Sequence, residues 1–488
     1  RVNAAQVFLS WRLLGSDPDN VAFNIYKNGS KINASPITTS TNYTDSEITT
    51  VNYTLKTVVN GVETGESQTI TPWTSNYKDI VLSVPASMTM PDATTCTYSP
   101  GDCSTGDVDG DGEFEIVLKW DPSNAKDNSQ SGYTGNVFID VYKIDGTHLC
   151  RIDLGKNIRA GAHYTQFQVA DYDGDGKAEI ACKTAPGTKD GKGNYISKGP
   201  AALASHTTDY RNTSGYILSG PEYLTVFSGL TGEELATAAY NPARGTVSSW
   251  GDSYGNRVDR FLAGSAYLDG KLPSIIMCRG YYTRATIAAW DYRNGTLTNR
   301  WLYDSGTTSG VGLYGQGNHN LSIGDVDNDG KDEIIWGAGA VNDDGKFMYR
   351  TGLGHGDAMH LSDLNPDRKG LEVWDVHEET GAAYGEEMHD AKTGVIIWGT
   401  YTGTDNGRGL AANVIGGNRG FEMWSAHGPG AMSKTGSVLS STKGSMNFRI
   451  YWDGDLQDEM LDGNTITKYG VGALLSATGC SSVNGTKS

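Results

Sequence analysis

GDVDGDGEFEIVLKW, residues 106–120, is the stretch on which the fold turns. Its first half alternates carboxylates around glycines and reads as a tight turn; its second half is an apolar run and reads as a buried strand. The pattern recurs as ADYDGDGKAEIACKT (170–184) and GDVDNDGKDEIIWGA (324–338). Weaker copies are AYLDGKLPSIIMCRG (266–280), SDLNPDRKGLEVWDV (362–376), ANVIGGNRGFEMWSA (412–426) and YWDGDLQDEMLDG (451–463). A second unit, strand, glycine turn and strand, follows most of them, as in VFIDVYKIDGTHLCRIDL (137–154) and EEMHDAKTGVIIWGT (386–400). In the second half of the chain the copies, marked by Asp325, Asp363, Asn413 and Asp453, stand about 40–50 residues apart. That period suits a four-stranded propeller blade, which cannot bury both of its faces alone. From about residue 77 to 488 the chain therefore reads as an all-β propeller, with seven countable copies and seven or eight blades.

Residues 1–72 follow another pattern. VFLSWRLL (7–14), VAFNIYKNG (21–29), TNYTD (41–45) and NYTLKTVVNG (52–61) alternate apolar and polar residues between Asn-Gly turns, the mark of a small antiparallel sandwich. The Ser-Trp on an early strand and the IYKNG hairpin resemble a fibronectin type III domain, with no catalytic content. Composition agrees with an all-β reading: 64 glycines in 488 residues is about 13%, nearly twice the usual share, and apolar residues make up only 37%. The formal charge of −18 argues against gripping nucleic acid or an anionic membrane through a basic face. No run of 18 apolar residues is present, so no membrane-spanning helix is expected. Six cysteines, none in a Cys-x-x-Cys pair, make a structural zinc site of that type unexpected. Cys96 and Cys103 share one loop and either close a short disulfide or remain thiols. The chain starts at Arg1 without an initiator Met and without a visible signal peptide, which fits a processed, secreted protein.

The three strict copies read D-x-D-x-D-G-x-x-E: Asp107, Asp109, Asp111 and Glu115; Asp171, Asp173, Asp175 and Glu179; Asp325, Asp327, Asp329 and Glu333. Alternating carboxylates around a glycine turn wrap a hard cation such as Ca²⁺. An EF-hand would place a bidentate Glu at position twelve between two helices; here that position is Leu118, Cys182 or Trp336, inside a strand. Several structural calcium loops at blade corners are expected, with Asp363, Asn365, Asp367 and Glu372 as a fourth, weaker set. Bound calcium would also return positive charge to an acidic chain, so an acidic polysaccharide remains an acceptable partner.

A specific resemblance then emerges. GDVDGDGEFEIVLKWDPSNAKDNSQSGYTGN (106–136), GAHYTQFQVADYDGDGKAEI (161–180), GNHNLSIGDVDNDG (317–330), GHGDAMHLSDL (354–364), DNGRGLAANV (405–414) and NGTK (484–487) resemble a rhamnogalacturonan lyase of polysaccharide lyase family eleven. The likeness covers nearly the whole chain. It implies a calcium-dependent, eight-bladed propeller that cuts the rhamnose–galacturonate bond of rhamnogalacturonan I by β-elimination, leaving a 4,5-unsaturated uronate. The partner implied is thus an acidic cell-wall polysaccharide, met by a monomer. The family pattern continues past Lys487, so a further C-terminal segment is expected.

Elimination requires neutralising the uronate carboxylate, a base for the C5 proton and help for the leaving oxygen. Resemblance and chemistry converge on His319, His355, Asp357 and Glu378 as a second kind of calcium site, at the active centre. The base is either Arg408 or Lys487. Chemistry favours Lys487, whose pKa falls more readily, with Arg408 as a bidentate clamp on the carboxylate. Asp121, Asn124, Asn128 and Tyr133, with Asn484, Gly485 and Thr486, are candidate sugar contacts. Trp250, Tyr281 and Tyr282 either stack on sugars or pack in the core. The competing readings are a non-catalytic calcium-binding adhesion propeller and a two-carboxylate glycoside hydrolase.

Overall fold

A computed structural model describes residues 2–13, 17, 18 and 20–477, which divide into two units. The first holds the chain up to Val81 together with Tyr451–Asp458. The four-stranded antiparallel sheet here runs Ser30–Lys31, Ala22–Lys27, Tyr53–Val59, Val62–Glu66, and a two-stranded one pairs Gln6–Ser10 with Asn42–Ser46. Val7, Leu9, Ile25, Val51 and Tyr53 form its core. Both hairpin turns are Asn-Gly with positive φ at each residue (Asn28 and Gly29, Asn60 and Gly61), the backbone that two-residue hairpins demand.

The second unit is a succession of four-stranded antiparallel sheets, each laid down in chain order. Among the described residues there are seven, spanning 98–153, 167–239, 261–304, 322–350, 356–400, 409–440 and 448–476. Among the described residues only two short 3₁₀ turns interrupt the strands, and no described helix is long and apolar enough to cross a membrane. The first strand of each sheet lies beside that of the next: Tyr98–Gly106, Phe167–Ala170, Phe261–Ala266, Ser322–Gly324, Gly356–Ser362, Gly409–Ala412 and Phe448–Ile450.

Strand periodicity explains the stacking. In the second sheet Ile180 and Cys182 face the core shared with the first sheet, while Ala181 faces the one shared with the third. In the third, Ile275 and Met277 look back and Ile276 and Cys278 look forward to Ile334 and Trp336 of the fourth. The same alternation links Val373 to the fourth sheet and Trp374 and Val376 to the sixth. Apolar runs such as IIMC are thus buried on both faces.

Each acidic motif forms the hairpin between first and second strands. Its glutamate opens the second strand, pairing with the residue before the first aspartate: Gly106 with Glu115, Ala170 with Glu179, Gly324 with Glu333. Glu115 Oε2 accepts the Val108 amide at 2.9 Å, and Glu179, Glu333, Glu372 and Glu422 accept the corresponding amides of Tyr172, Val326, Asn365 and Val414. A buried glutamate therefore latches its own loop. Of the two alternatives for Cys96 and Cys103, the structure gives thiols. Cys96 is buried beside Tyr98, while Cys103 lies exposed on the strand facing Leu118.

Candidate active site

Antiparallel pairing gathers the residues before first strands and after second strands at one end of the unit, opposite the acidic hairpins. His319 precedes Ser322–Gly324; His355 and Asp357 stand at the start of Gly356–Ser362; Arg260 and Arg408 immediately precede Phe261–Ala266 and Gly409–Ala412. Tyr281 and Tyr282 follow Ser274–Arg279, and Glu378 follows Glu372–His377. Residues far apart in sequence thus meet because their strands are neighbours.

His319, His355 and Asp357 each offer a ligand atom within 4.8 Å of the others. His319 Nε2 is 3.4 Å from Asp357 Oδ1, and His355 Nε2 is 3.3 Å from Glu378 Oε2. His355 Nδ1 donates to the Gly317 carbonyl, so Nε2 carries a free lone pair, and this buried atom has no hydrogen-bond partner. The Tyr281 ring stacks on His355 with an interplanar angle of 2°, and its hydroxyl lies 3.3 Å from His319 Nδ1 and 3.4 Å from His163 Nδ1. Burial holds His319 down to about 4 and His355 well below the ordinary histidine range, so both imidazoles are neutral lone-pair donors. Conversely, burial pushes Asp357 up to about 7, with Glu378, Asp405 and Asp375 adding to the rise and Arg408 opposing it. Glu378 is raised too, by burial and then by Asp405 and Glu379. One bare imidazole nitrogen, His355 Nε2, and a second, His319 Nε2, met by the Tyr282 hydroxyl at 3.2 Å, stand beside two crowded carboxylates and form a donor set that fits a divalent cation.

Of the sequence-predicted residues, Arg408 is half-buried, and its Nη1 donates to Asn447 Oδ1 at 2.6 Å. Asn124 Oδ1 accepts the Gly135 amide at 2.9 Å, and Asp121 is raised by burial. The Tyr133 ring carries the Arg211 guanidinium 5.3 Å from its centroid. Asn128 has no exposed surface to offer a sugar: it is fully buried, and Nδ2 ties its loop to the Asp259 carbonyl at 2.7 Å. Trp250 and Tyr281 are fully buried as well, so of the three aromatics only Tyr282 keeps exposed surface. Asn484, Gly485, Thr486 and Lys487 lie outside the described residues.

Sequence reasoning passed over Asp127, His163, Arg257 and Arg260. Arg260 Nη2 is 3.6 Å from Asp127 Oδ1, and the Arg257 guanidinium sits 3.8 Å from the Tyr282 ring centroid. Burial pushes the Asp127 carboxyl up, but hydrogen bonds from Ser129 and the charge of Arg260 hold it at about 2. This is a permanently ionised acid beneath a cationic rim. Asp127 and His163 lie in the segments 106–136 and 161–180 that carry the family resemblance; Arg257 and Arg260 lie in none of the quoted segments.

At the opposite end, Asp107, Asp109 and Glu115 cluster, as do Asp171, Asp173 and Glu179, and Asp325, Asp327 and Glu333. The third aspartate of each loop instead caps the turn: Asp111, Asp175 and Asp329 accept the amides of Glu113, Lys177 and Lys331. In the first loop Lys143 sits among the acids, paired with Asp109 and 3.1 Å from Asp111 Oδ2. The weaker set departs from the ring arrangement. Asp367 pairs with Arg419 and Lys434 and Glu372 with Arg368, so side-chain cations reach this loop, while Asn365 caps the Asp367 amide and Asp363 adds to the rise of Glu372.

Comparison with known proteins agrees with this architecture. Residues 77–488 match the family model described as rhamnogalacturonan lyase family 11, C-terminal domain, and residues 2–73 match the rhamnogalacturonan I lyases beta-sheet domain. The chain is 55% identical to rhamnogalacturonan endolyase YesW of Bacillus subtilis, over 99% of this chain and 77% of that protein. It is 53% identical to rhamnogalacturonan exolyase YesX of the same organism, over 93% and 75%. The crystal structure of YesW superposes with a TM-score of 0.92 across all of this chain and 83% of that one. A Bacillus licheniformis family 11 rhamnogalacturonan lyase superposes equally well, at 55% identity and with the same coverage of both chains. The chain is a polysaccharide lyase. The chain belongs to rhamnogalacturonan lyase family 11.

Proposed function

We propose that this lyase cleaves the rhamnose-α-1,4-galacturonate bond of rhamnogalacturonan I by calcium-dependent β-elimination. The observation that carries the reading is the buried, unpartnered Nε2 of His355 facing Glu378 and lying close to His319 and Asp357. These four residues would hold the active-site calcium. That ion, when bound, withdraws charge from the uronate carboxylate and so acidifies C5–H. Imidazole is an uncommon partner for calcium, so the two carboxylates and the substrate's own oxygens supply the hard ligands. Arg408 clamps the same carboxylate. Lys487 removes the C5 proton, the C4–O bond breaks and C4=C5 forms; water protonates the departing rhamnose oxygen and takes back the proton from Lys487. Asp121, Asn124, Tyr133, Asn484, Gly485 and Thr486 contribute sugar contacts, and Tyr282 takes the place of an exposed ring at the site.

We further infer that the sheets are blades of a β-propeller. Side-by-side first strands and two-faced cores support seven blades, and the family resemblance supports an eighth. The sandwich before them is fibronectin type III-like. The three strict acidic loops bind calcium as corner braces, with the Asp363–Glu372 loop a weaker fourth. A polymeric cell-wall substrate calls for a secreted enzyme. Mass spectrometry of oligosaccharide products tests the chemistry: elimination yields a fragment one water lighter than hydrolysis does. Fragments of hydrolytic mass would overturn the assignment.

A further inference from the structure

The fifth sheet carries a second histidine–carboxylate cluster that the catalytic reading does not use. Asp375 and His377 lie two residues apart on Glu372–His377 and so share one face; Glu387 and His389 do the same on the adjoining strand Glu386–Asp390. Asp375 stands opposite Glu387 in the register, and all four side chains are completely buried.

Accounting for their polar atoms leaves a gap in the middle. Asp375 Oδ1 accepts Asn318 Nδ2 at 2.7 Å and the Val376 amide at 2.9 Å. Glu387 Oε1 lies 2.8 Å from His389 Nδ1, and His389 Nε2 lies 3.3 Å from the Tyr349 hydroxyl. Both His389 ring nitrogens therefore have partners. Asp375 Oδ2, Glu387 Oε2 and both His377 nitrogens have no hydrogen-bond partner. His377 Nδ1 is 3.9 Å from Asp375 Oδ2, and Nε2 is 3.6 Å from Glu387 Oε1, both beyond hydrogen-bond reach. Among the described residues no Lys or Arg pairs with Asp375 or Glu387. Two carboxylates in a dry space around one imidazole are costly unless a positive charge sits between them.

We propose that a divalent transition-metal ion of the zinc type occupies this pocket, held by Asp375, His377 and Glu387. One ligand atom from each lies within 4.8 Å of the other two. Ligands about 2.1 Å from a tetrahedral ion are about 3.4 Å apart, so modest side-chain movement closes the set. A small mixed nitrogen–oxygen set suits zinc better than calcium, which prefers about six to eight oxygens. Asn318 and His389 fix the two carboxylates from behind, as outer-shell partners do. The ion neutralises both acids and braces the strand pair directly beneath Asn318, the neighbour of His319. Its role is positioning, not catalysis.

The test is metal analysis of the full chain expressed in zinc-supplemented medium, dialysed against EDTA and returned to calcium. Because the pocket is sealed, wild type is expected to retain about one zinc per chain, and so is His355→Ala, which alters only the upper site. His377→Gln and the isosteric Asp375→Asn are expected to retain under about a tenth of that. Wild type retaining no transition metal, or Asp375→Asn retaining as much as wild type, would overturn the proposal. So would zinc lost from His355→Ala but kept by His377→Gln.

Discussion

At His355 one carbonyl decides the chemistry. The Gly317 carbonyl accepts the Nδ1–H hydrogen bond, so the other nitrogen points a bare lone pair at Glu378. Replacing His355 with Ala is expected to cut turnover by about 100-fold or more while the melting temperature stays within a few degrees. A lowered melting temperature with normal activity per folded molecule would make the residue structural instead. Arg408→Ala should lose activity comparably, and Arg408→Lys should recover only part of it, because lysine keeps the charge but lacks the bidentate fork. Tyr281→Phe keeps the ring stacked on His355 but removes the hydroxyl between His163 and His319. We expect roughly a tenfold fall in kcat with KM nearly unchanged, since the hydroxyl orients a ligand and does not bind sugar. The paired histidines and Asp357 were legible in the sequence because they stand in GNHNLSIGDVDNDG and GHGDAMHLSDL, the segments that carry the family resemblance. His163 and Arg260 were not. Their roles arise from neighbouring first strands, which no local spacing reveals.

At the scale of the element, the acidic hairpin combines a backbone latch with a cluster of carboxylates. Its glutamate holds the loop through a backbone amide, and two of its aspartates crowd that glutamate. Burial, with the neighbouring aspartates adding, pushes Glu179 up to about 8 and Glu333 up to about 7. In metal-free protein these folded-state values stand above the unfolded value of about 4.3, so the folded chain binds protons more tightly. Their contribution to stability is therefore greatest at low pH and is lost as pH rises toward 7–8. The melting temperature in chelator should fall between pH 5 and pH 8, and calcium should abolish that fall. Superimposable profiles with and without calcium would remove the loops from the list of ion sites. The D-x-D-x-D-G-x-x-E spacing made these hairpins readable. The third aspartate's service as a turn cap was not readable, because spacing cannot say which way a short carboxylate rotates. Nor could it show that Arg368, Arg419 and Lys434 reach the weaker loop.

Across the whole molecule, the repeat period announced stacked four-stranded sheets, and apolar runs buried on both faces are its physical basis. Ile276 belongs to the core shared by the third and fourth sheets, so Ile276→Ala should cost about 2–5 kcal/mol, read as a lowered denaturation midpoint. A long insertion, residues 185–221, lies between the second and third strands of the second sheet, Glu179–Thr184 and Tyr223–Ser228. The central claim concerns the end where first strands begin: a cation held at His319, His355, Asp357 and Glu378 makes elimination possible. Rhamnogalacturonan is incubated with the enzyme while ultraviolet absorbance of the conjugated C=C–C=O product is followed, first in calcium, then after chelator, then after calcium is restored. Absorbance should climb, stop and resume. An undiminished rise in chelator, or new reducing ends without absorbance, would contradict the account.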